Sequence, residues 1–226
     1  MPTPPRAWRG FTMVELLIGM AVGLFIVAAS ASLLTANLRE NRNLLIESRL
    51  MQDMRTAADM ITRDLRRAGY WAAANAGVRT DGGATVLANP YVEVAPGSAA
   101  ADSVSFRFSR DTTENNSVDS NEQFGFRLRN GAIELQLGAG NWQALTDAST
   151  LTVTEFRVTP TVEEISLASF CANPCPAGSS TCPPRQQVRS LAVVIGGRAI
   201  GDARLTRSVR SQVRLRNDPL VGACPV

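Results

Sequence analysis

The sequence predicts an α+β protein: one long N-terminal helix packed on an antiparallel β-sheet head. Three observations carry this. From Phe11 to Ala36 the only charged residue is Glu15. From Asn37 to Gly69 the apolar residues recur at spacings of three and four, the helical period. Beyond Tyr70 the pattern changes to alternation and turn pairs, the signature of strands. The 226 residues suffice for one anchored helix and one globular domain.

Met1 to Gly10 is short and polar, holds three Pro with Arg6 and Arg9, and reads as a leader that stays cytoplasmic. Residues 11–36 are long enough to cross the roughly 30 Å of membrane hydrocarbon, which takes about 20 residues. The run is too long for a secretory signal, and no small-x-small cleavage pattern follows it. Glu15 is the anomaly. A carboxylate in a membrane span is costly unless it is paired or near the interface. At the first turn of a helix the N-terminal dipole favours it. Cleavage after Gly10 would add the amine of Phe11 as a nearby cation. Gly19 and Gly23 form a G-x-x-x-G that permits close helix contact.

Residues 37–69 form the amphipathic half. Ile46, Leu50, Met54, Ala57, Ile61, Leu65 and Ala68 make the apolar stripe, with Arg42, Glu47, Asp53, Arg55, Asp59, Arg63 and Arg66 mostly off it. The stripe needs a sheet to cover it. Arg66 and Arg67 suit the last turn and Gly69 suits the position after it.

Residues 70–226 form the β head. Tyr70 to Gly83 reads as a loop. Ser103 to Ser109 puts Val104, Phe106 and Phe108 on one face. Asn130-Gly131 is the preferred type I′ turn pair. It sets the register of a hairpin over Gln123–Leu137: Leu128 opposite Ile133, Phe126 opposite Leu135, Phe124 opposite Leu137, and Arg127 opposite Glu134 on the other face. Leu151–Val158 and Leu205–Arg216 are further strands; Val188–Ile195, apolar on both faces, suits a central one. In the last of these, Leu205, Val209, Val213 and Leu215 point inward and Arg210, Arg214 and Arg216 outward.

Composition narrows the function. The chain has no His and no Lys, so the commonest catalytic base and the commonest zinc ligand are missing. No nucleophile–base set, G-x-S-x-G or phosphate loop is present, and no enzyme activity or cofactor is expected. Asp111, Glu114, Asp119 and Glu122 share a loop but lack the spacing of a calcium loop, so no metal is expected. The net charge of +3 drops to +1 once Arg6 and Arg9 leave (21 Arg against 20 acids). The head is nonetheless uneven: Tyr70–Glu164 holds 12 acids and 6 Arg, Ile165–Val226 holds 2 acids and 8 Arg. The basic end is either the solvated face of a strand or a surface for DNA or an acidic subunit. Cys171, Cys175, Cys182 and Cys224 are an even set behind an export anchor, which implies two disulfides and a stapled loop near residues 171–185. Four Cys allow three pairings, and the sequence does not choose.

Gly10-Phe11-Thr12-Met13-Val14-Glu15 resembles the start of a type IV prepilin. Ser48 to Trp71, with Met51-Gln52-Asp53-Met54, Arg63-Asp64-Leu65-Arg66 and Ala68-Gly69-Tyr70-Trp71, resembles the PilW family of minor pilins; Arg214-Leu215-Arg216-Asn217 matches it more loosely. The resemblance implies a type IV pilin-like fold, cleavage by prepilin peptidase between Gly10 and Phe11, and N-methylation of Phe11. It implies that Glu15 meets the N-terminal amine of a neighbouring subunit. It implies an inner-membrane protein with its head in the periplasm, later part of a pilus. The implied partners are other minor pilins, the major pilin and a large adhesin-like tip protein. Initiation of pilus assembly, twitching motility, adhesion and possibly DNA uptake are the implied roles. A J-type pseudopilin of a type II secretion system shares the same architecture.

Overall fold

The computed structural model describes residues 10–78 and 86–225. The chain divides into two units, Met1–Ile46 and Glu47–Val226. Helix α1 is Met13–Leu65.

In the first unit, every described residue up to Leu45 is exposed. The span has a mean hydropathy of 2.3 over its most apolar 18 residues. Its hydroxyls turn back onto the helix: Ser30 donates to the Ile26 carbonyl at 2.8 Å, Ser32 to Ala29 at 2.8 Å and Thr35 to Ser32 at 2.9 Å. Each of these three hydroxyls is therefore satisfied without a partner outside the helix, as hydrocarbon requires.

The second unit holds the core. Leu50, Met54, Ala57, Ala58, Ile61, Thr62 and Leu65 are the buried face of α1. This is the predicted stripe, with Ile46 half-buried at its edge and Thr62 and Ala58 added. Burying its four large side chains contributes on the order of 6–12 kcal/mol gross. The β part is antiparallel, as expected, and is divided between two sheets. The first holds β1 (Val94–Ala95), β2 (Ser103–Arg107), β3 (Gln123–Arg129), β4 (Ala132–Leu137) and β5 (Trp142–Ala144), in that order. The second holds β6 (Leu151–Ser166), β7 (Arg185–Ala199) and β8 (Asp202–Arg214), with β9 (Leu220–Val221) also paired to β7. The sheets join where Ala101 and Val158 exchange backbone bonds of 2.9 and 2.8 Å, and where the Val153 N–H reaches the Gly131 carbonyl at 2.7 Å.

The β3–β4 hairpin has the expected register: Phe124 faces Leu137, Phe126 faces Leu135 and Leu128 faces Ile133. Asn130 and Gly131 both have positive φ, 51° and 75°, as the type I′ turn demands. On its other face Arg127 Nε donates to Glu134 at 2.7 Å. Phe106, Phe108, Phe124 and Phe126 then stack into one aromatic layer, the closest ring centroids 4.0 Å apart. β7 is the central strand of its sheet, and Leu191, Val193, Ile195 and Ala199 on its inner face are buried. Ala192 and Val194 on the other face are half-buried.

α1 ends at Leu65, and residues 66–69 continue as turns. The head itself supplies the missing C-terminal partners. Asn217 Nδ2 donates to the Ala68 carbonyl at 2.9 Å and Asn89 Nδ2 to the Gly69 carbonyl at 2.9 Å. Gly69 takes φ +75°, and a Cβ there would stand 3.2 Å from the Asn217 Cβ.

Candidate processing junction and assembly helix

The N-terminal residues of interest are Gly10, Phe11 and Glu15. Gly10 to Thr12 precede the helix and are exposed. The rest of the expected leader, with Arg6 and Arg9, lies outside the described residues. Thr12 opens α1. Its carbonyl accepts the Leu16 N–H at 3.1 Å and its Oγ1 accepts the Glu15 N–H at 3.3 Å. Thr12 is thus the N-cap and Glu15 the third residue of the first turn, the spacing of a capping box. The T-x-x-E pattern of Thr12 and Glu15 carries this signal in the sequence. Phe11, with 83 % of its surface exposed, and Met13, with 86 %, have no cover among the described residues. A Cβ built on Gly19 or Gly23 meets nothing within 4 Å, so the G-x-x-x-G strip is open to another helix.

In the head, Cys171 bonds to Cys224 and Cys175 to Cys182. The first ties the start of the Pro-rich excursion to the C-terminal segment across 53 positions; the second closes a local loop of seven.

The loop between Arg110 and Glu122 is more structured than its polarity suggested. Glu122 is fully buried. Its Oε1 accepts the Arg110 N–H at 2.8 Å, and its Oε2 accepts the Asp119 N–H at 2.9 Å and the Tyr91 hydroxyl at 3.0 Å. Tyr91, also buried, lies near Glu114 Oε1 at 2.9 Å. Burial, then the bonds to Glu114 and Glu122, push the Tyr91 hydroxyl well above its usual range. Burial opposes the Glu114 charge, but the Asn116 backbone N–H and the Tyr91 hydroxyl at its Oε1 hold the carboxyl below the usual range. Burial, then the charges of Glu122, Asp119 and Glu114, raise Asp111. Asp111, Asp119 and Glu122 bring oxygens within 4.8 Å of one another, but the Glu122 oxygens already serve three donors.

Four arginines of the basic end have local partners. Arg207 is on the inward face of β8 and pairs with Glu47 of α1, Nε to Oε1 at 2.9 Å. Arg189 is half-buried against carbonyls, reaching Val92 at 2.7 Å and Asn217 at 3.1 Å. Arg185 pairs with Glu164 at 3.3 Å and Arg214 with Asp218 at 2.8 Å.

The model of the family described as "PpdB: Prepilin peptidase-dependent protein B" matches residues 43–215, about three quarters of the chain. The chain belongs to that family. No curated protein and no solved structure matches it. Membership rests on the amphipathic half of α1 and the head, independently of the prepilin-type residues at Gly10–Glu15 that lie outside the matched span. A PpdB-family chain is a pilin-like subunit of a pilus or secretion apparatus, dependent on prepilin peptidase. Its apolar N-terminal helix fits a single-pass membrane anchor.

Proposed function

We propose that this chain is a minor pilin resembling PilW, a non-catalytic assembly subunit that helps to start a type IV pilus and stays at or near its tip. The observation that supports this is the uncovered apolar span of α1, opened by Thr12 and Glu15, in front of an amphipathic half buried in a disulfide-stapled head. Prepilin peptidase cuts between Gly10 and Phe11, Phe11 is N-methylated, and the head passes from periplasm to pilus surface. In the filament Glu15 pairs with the terminal amine of a neighbouring subunit. Two charges that are costly alone become tolerable together in a low-dielectric interior. Other minor pilins, the major pilin and a large adhesin-like tip protein are the partners, and twitching motility and adhesion are the roles served. Any part in DNA uptake belongs to the filament as a whole; at the C-terminal end Arg185, Arg189, Arg207 and Arg214 have local partners.

The test compares wild-type and Glu15→Val protein in membrane and sheared-filament fractions. Membrane insertion and cleavage are retained, and the share in filaments falls. Equal incorporation would reduce Glu15 to part of the helix cap, worth about 0.3–1 kcal/mol. Deleting the gene separates the pilus reading from a J-type secretion pseudopilin: loss of pili with intact secretion supports the former, and the reverse supports the latter.

A further inference from the structure

The end of α1 carries three arginines, Arg63, Arg66 and Arg67, whose spacing places them on adjoining faces of the last turn and the turn after it. Such residues commonly complement the negative end of a helix dipole. Arg216 is of different origin. It comes from the segment after β8 and is delivered by a clamp: the Leu215 N–H donates to the Arg189 carbonyl at 3.0 Å, Asn217 Nδ2 holds Ala68, and Arg189 holds the Asn217 carbonyl. The four arginines line one cavity of about 460 Å³, with Ser109 and Asn217 in its wall. Tyr70, half exposed, forms part of its rim.

These charges have little compensation. Arg63 approaches Asp64 at 3.9 Å. Arg67 lies over the Phe108 ring, 4.1 Å from its centroid. Among the described residues, Arg66, Arg67 and Arg216 have no carboxylate within ion-pair distance, unlike the four paired or bonded arginines of β7 and β8. Several guanidinium groups around one concavity repel one another until an anion enters. Their planar forks match carboxylates two bonds at a time.

We propose that this cavity receives an acidic, carboxylate-bearing segment of a neighbouring filament subunit. The source of the segment rests on the assembly reading above; the anion site itself does not. A short acidic segment fits better than a nucleic acid. Nucleic acid carries its charge as a continuous line and is met by a stripe of cations. Here the cations converge on a hollow, and the chain leaving its wall at Ser109 runs straight into the acidic loop of Asp111, Glu114, Asp119 and Glu122. A long polyanion crossing the cavity would meet that loop; a segment of a few residues ends inside.

The experiment uses the full chain in detergent micelles and a fluorescent hexaglutamate peptide, followed by anisotropy. Saturable binding is expected, weakening as ionic strength rises from about 0.05 M to about 0.3 M. The double change Arg66→Gln with Arg216→Gln should weaken it about tenfold. Both side chains are exposed, and Arg67 is left in place because it covers Phe108. Unchanged thermal melting confirms the fold of the variant. The control Arg198→Gln with Arg204→Gln, exposed and outside the cavity, should bind like wild type. Absence of peptide binding, or equal loss in the control, overturns the site. Tighter, Arg66- and Arg216-dependent binding of a short DNA of equal charge overturns the choice of a carboxylate segment. In cells, Arg66→Glu with Arg216→Glu should lower filament incorporation while the mature N-terminus stays unchanged. Unchanged incorporation beside intact peptide binding overturns the neighbouring subunit as the source. A wild-type chain that never enters filaments overturns the assembly reading instead, and leaves the peptide result standing.

Discussion

Phe25 and Ile61 are large apolar residues on one helix, yet Phe25 is 75 % exposed and Ile61 is not exposed at all. The difference is one of pattern rather than of hydrophobicity. Up to Ile46 the apolar residues lie all round α1, so no single sheet could cover them, and a surrounding apolar medium or other helices must. From Glu47 onward they form a stripe, and two β-sheets cover it. One helix thus serves as an anchor at one end and as a core element at the other. The switch is a change from continuous apolarity to a period of three and four.

The largest test of this comparison is to separate the halves. A chain beginning at Asn37 drops the all-round apolar span and keeps the stripe. It should be soluble without detergent and unfold in one cooperative transition, while the full chain should require detergent or lipid. An aggregating truncated chain would mean that the stripe is not fully covered by the head. Next come the disulfides, which bear on the head alone. Opening the Cys171–Cys224 bond, with a separation of 53, by replacing both residues with Ala should cost roughly 4 kcal/mol in a chain-entropy model. Opening Cys175–Cys182, with a separation of seven, should cost roughly 2.5 kcal/mol. Denaturant melts of the two variants give the order, and equal losses would show that the long bridge does not restrain the unfolded chain. The finest comparison is a matched pair of substitutions. Ile61→Ala should destabilise the head by about 3 kcal/mol, because it opens a hole among packed side chains. Ile26→Ala, in the uncovered half, should leave the melting of the head unchanged. A comparable loss at Ile26 would place that residue in the head's core and end the distinction.

Much of this was legible in the sequence because it is local. The stripe from Leu50 to Ala68 follows from its spacing, and the hairpin register follows from Asn130-Gly131 with the alternation on either side. The division into two sheets was not legible, since it depends on joins such as Ala101 with Val158, far apart in the chain. Tyr91 and Glu122 look like a loop aromatic and a loop acid until folding brings them together across 31 positions. The arginines of the last strand read as one outward charged face. Alternation does place Arg207 inward, but only the three-dimensional fold shows Glu47 waiting there. Arg216 is set beside the helix end by an Asn217 bond to Ala68 that spans 149 positions, and no periodicity signals that.

In the proposed assembly role, Phe11 becomes the first residue before the anchor half enters a filament. Intact-mass and N-terminal peptide mass spectrometry of the protein purified from native membranes tests this directly. The mature chain should begin at Phe11 and carry one methyl group on its amine. A chain that still begins at Met1 in cells with active prepilin peptidase would contradict the account, whatever the head does.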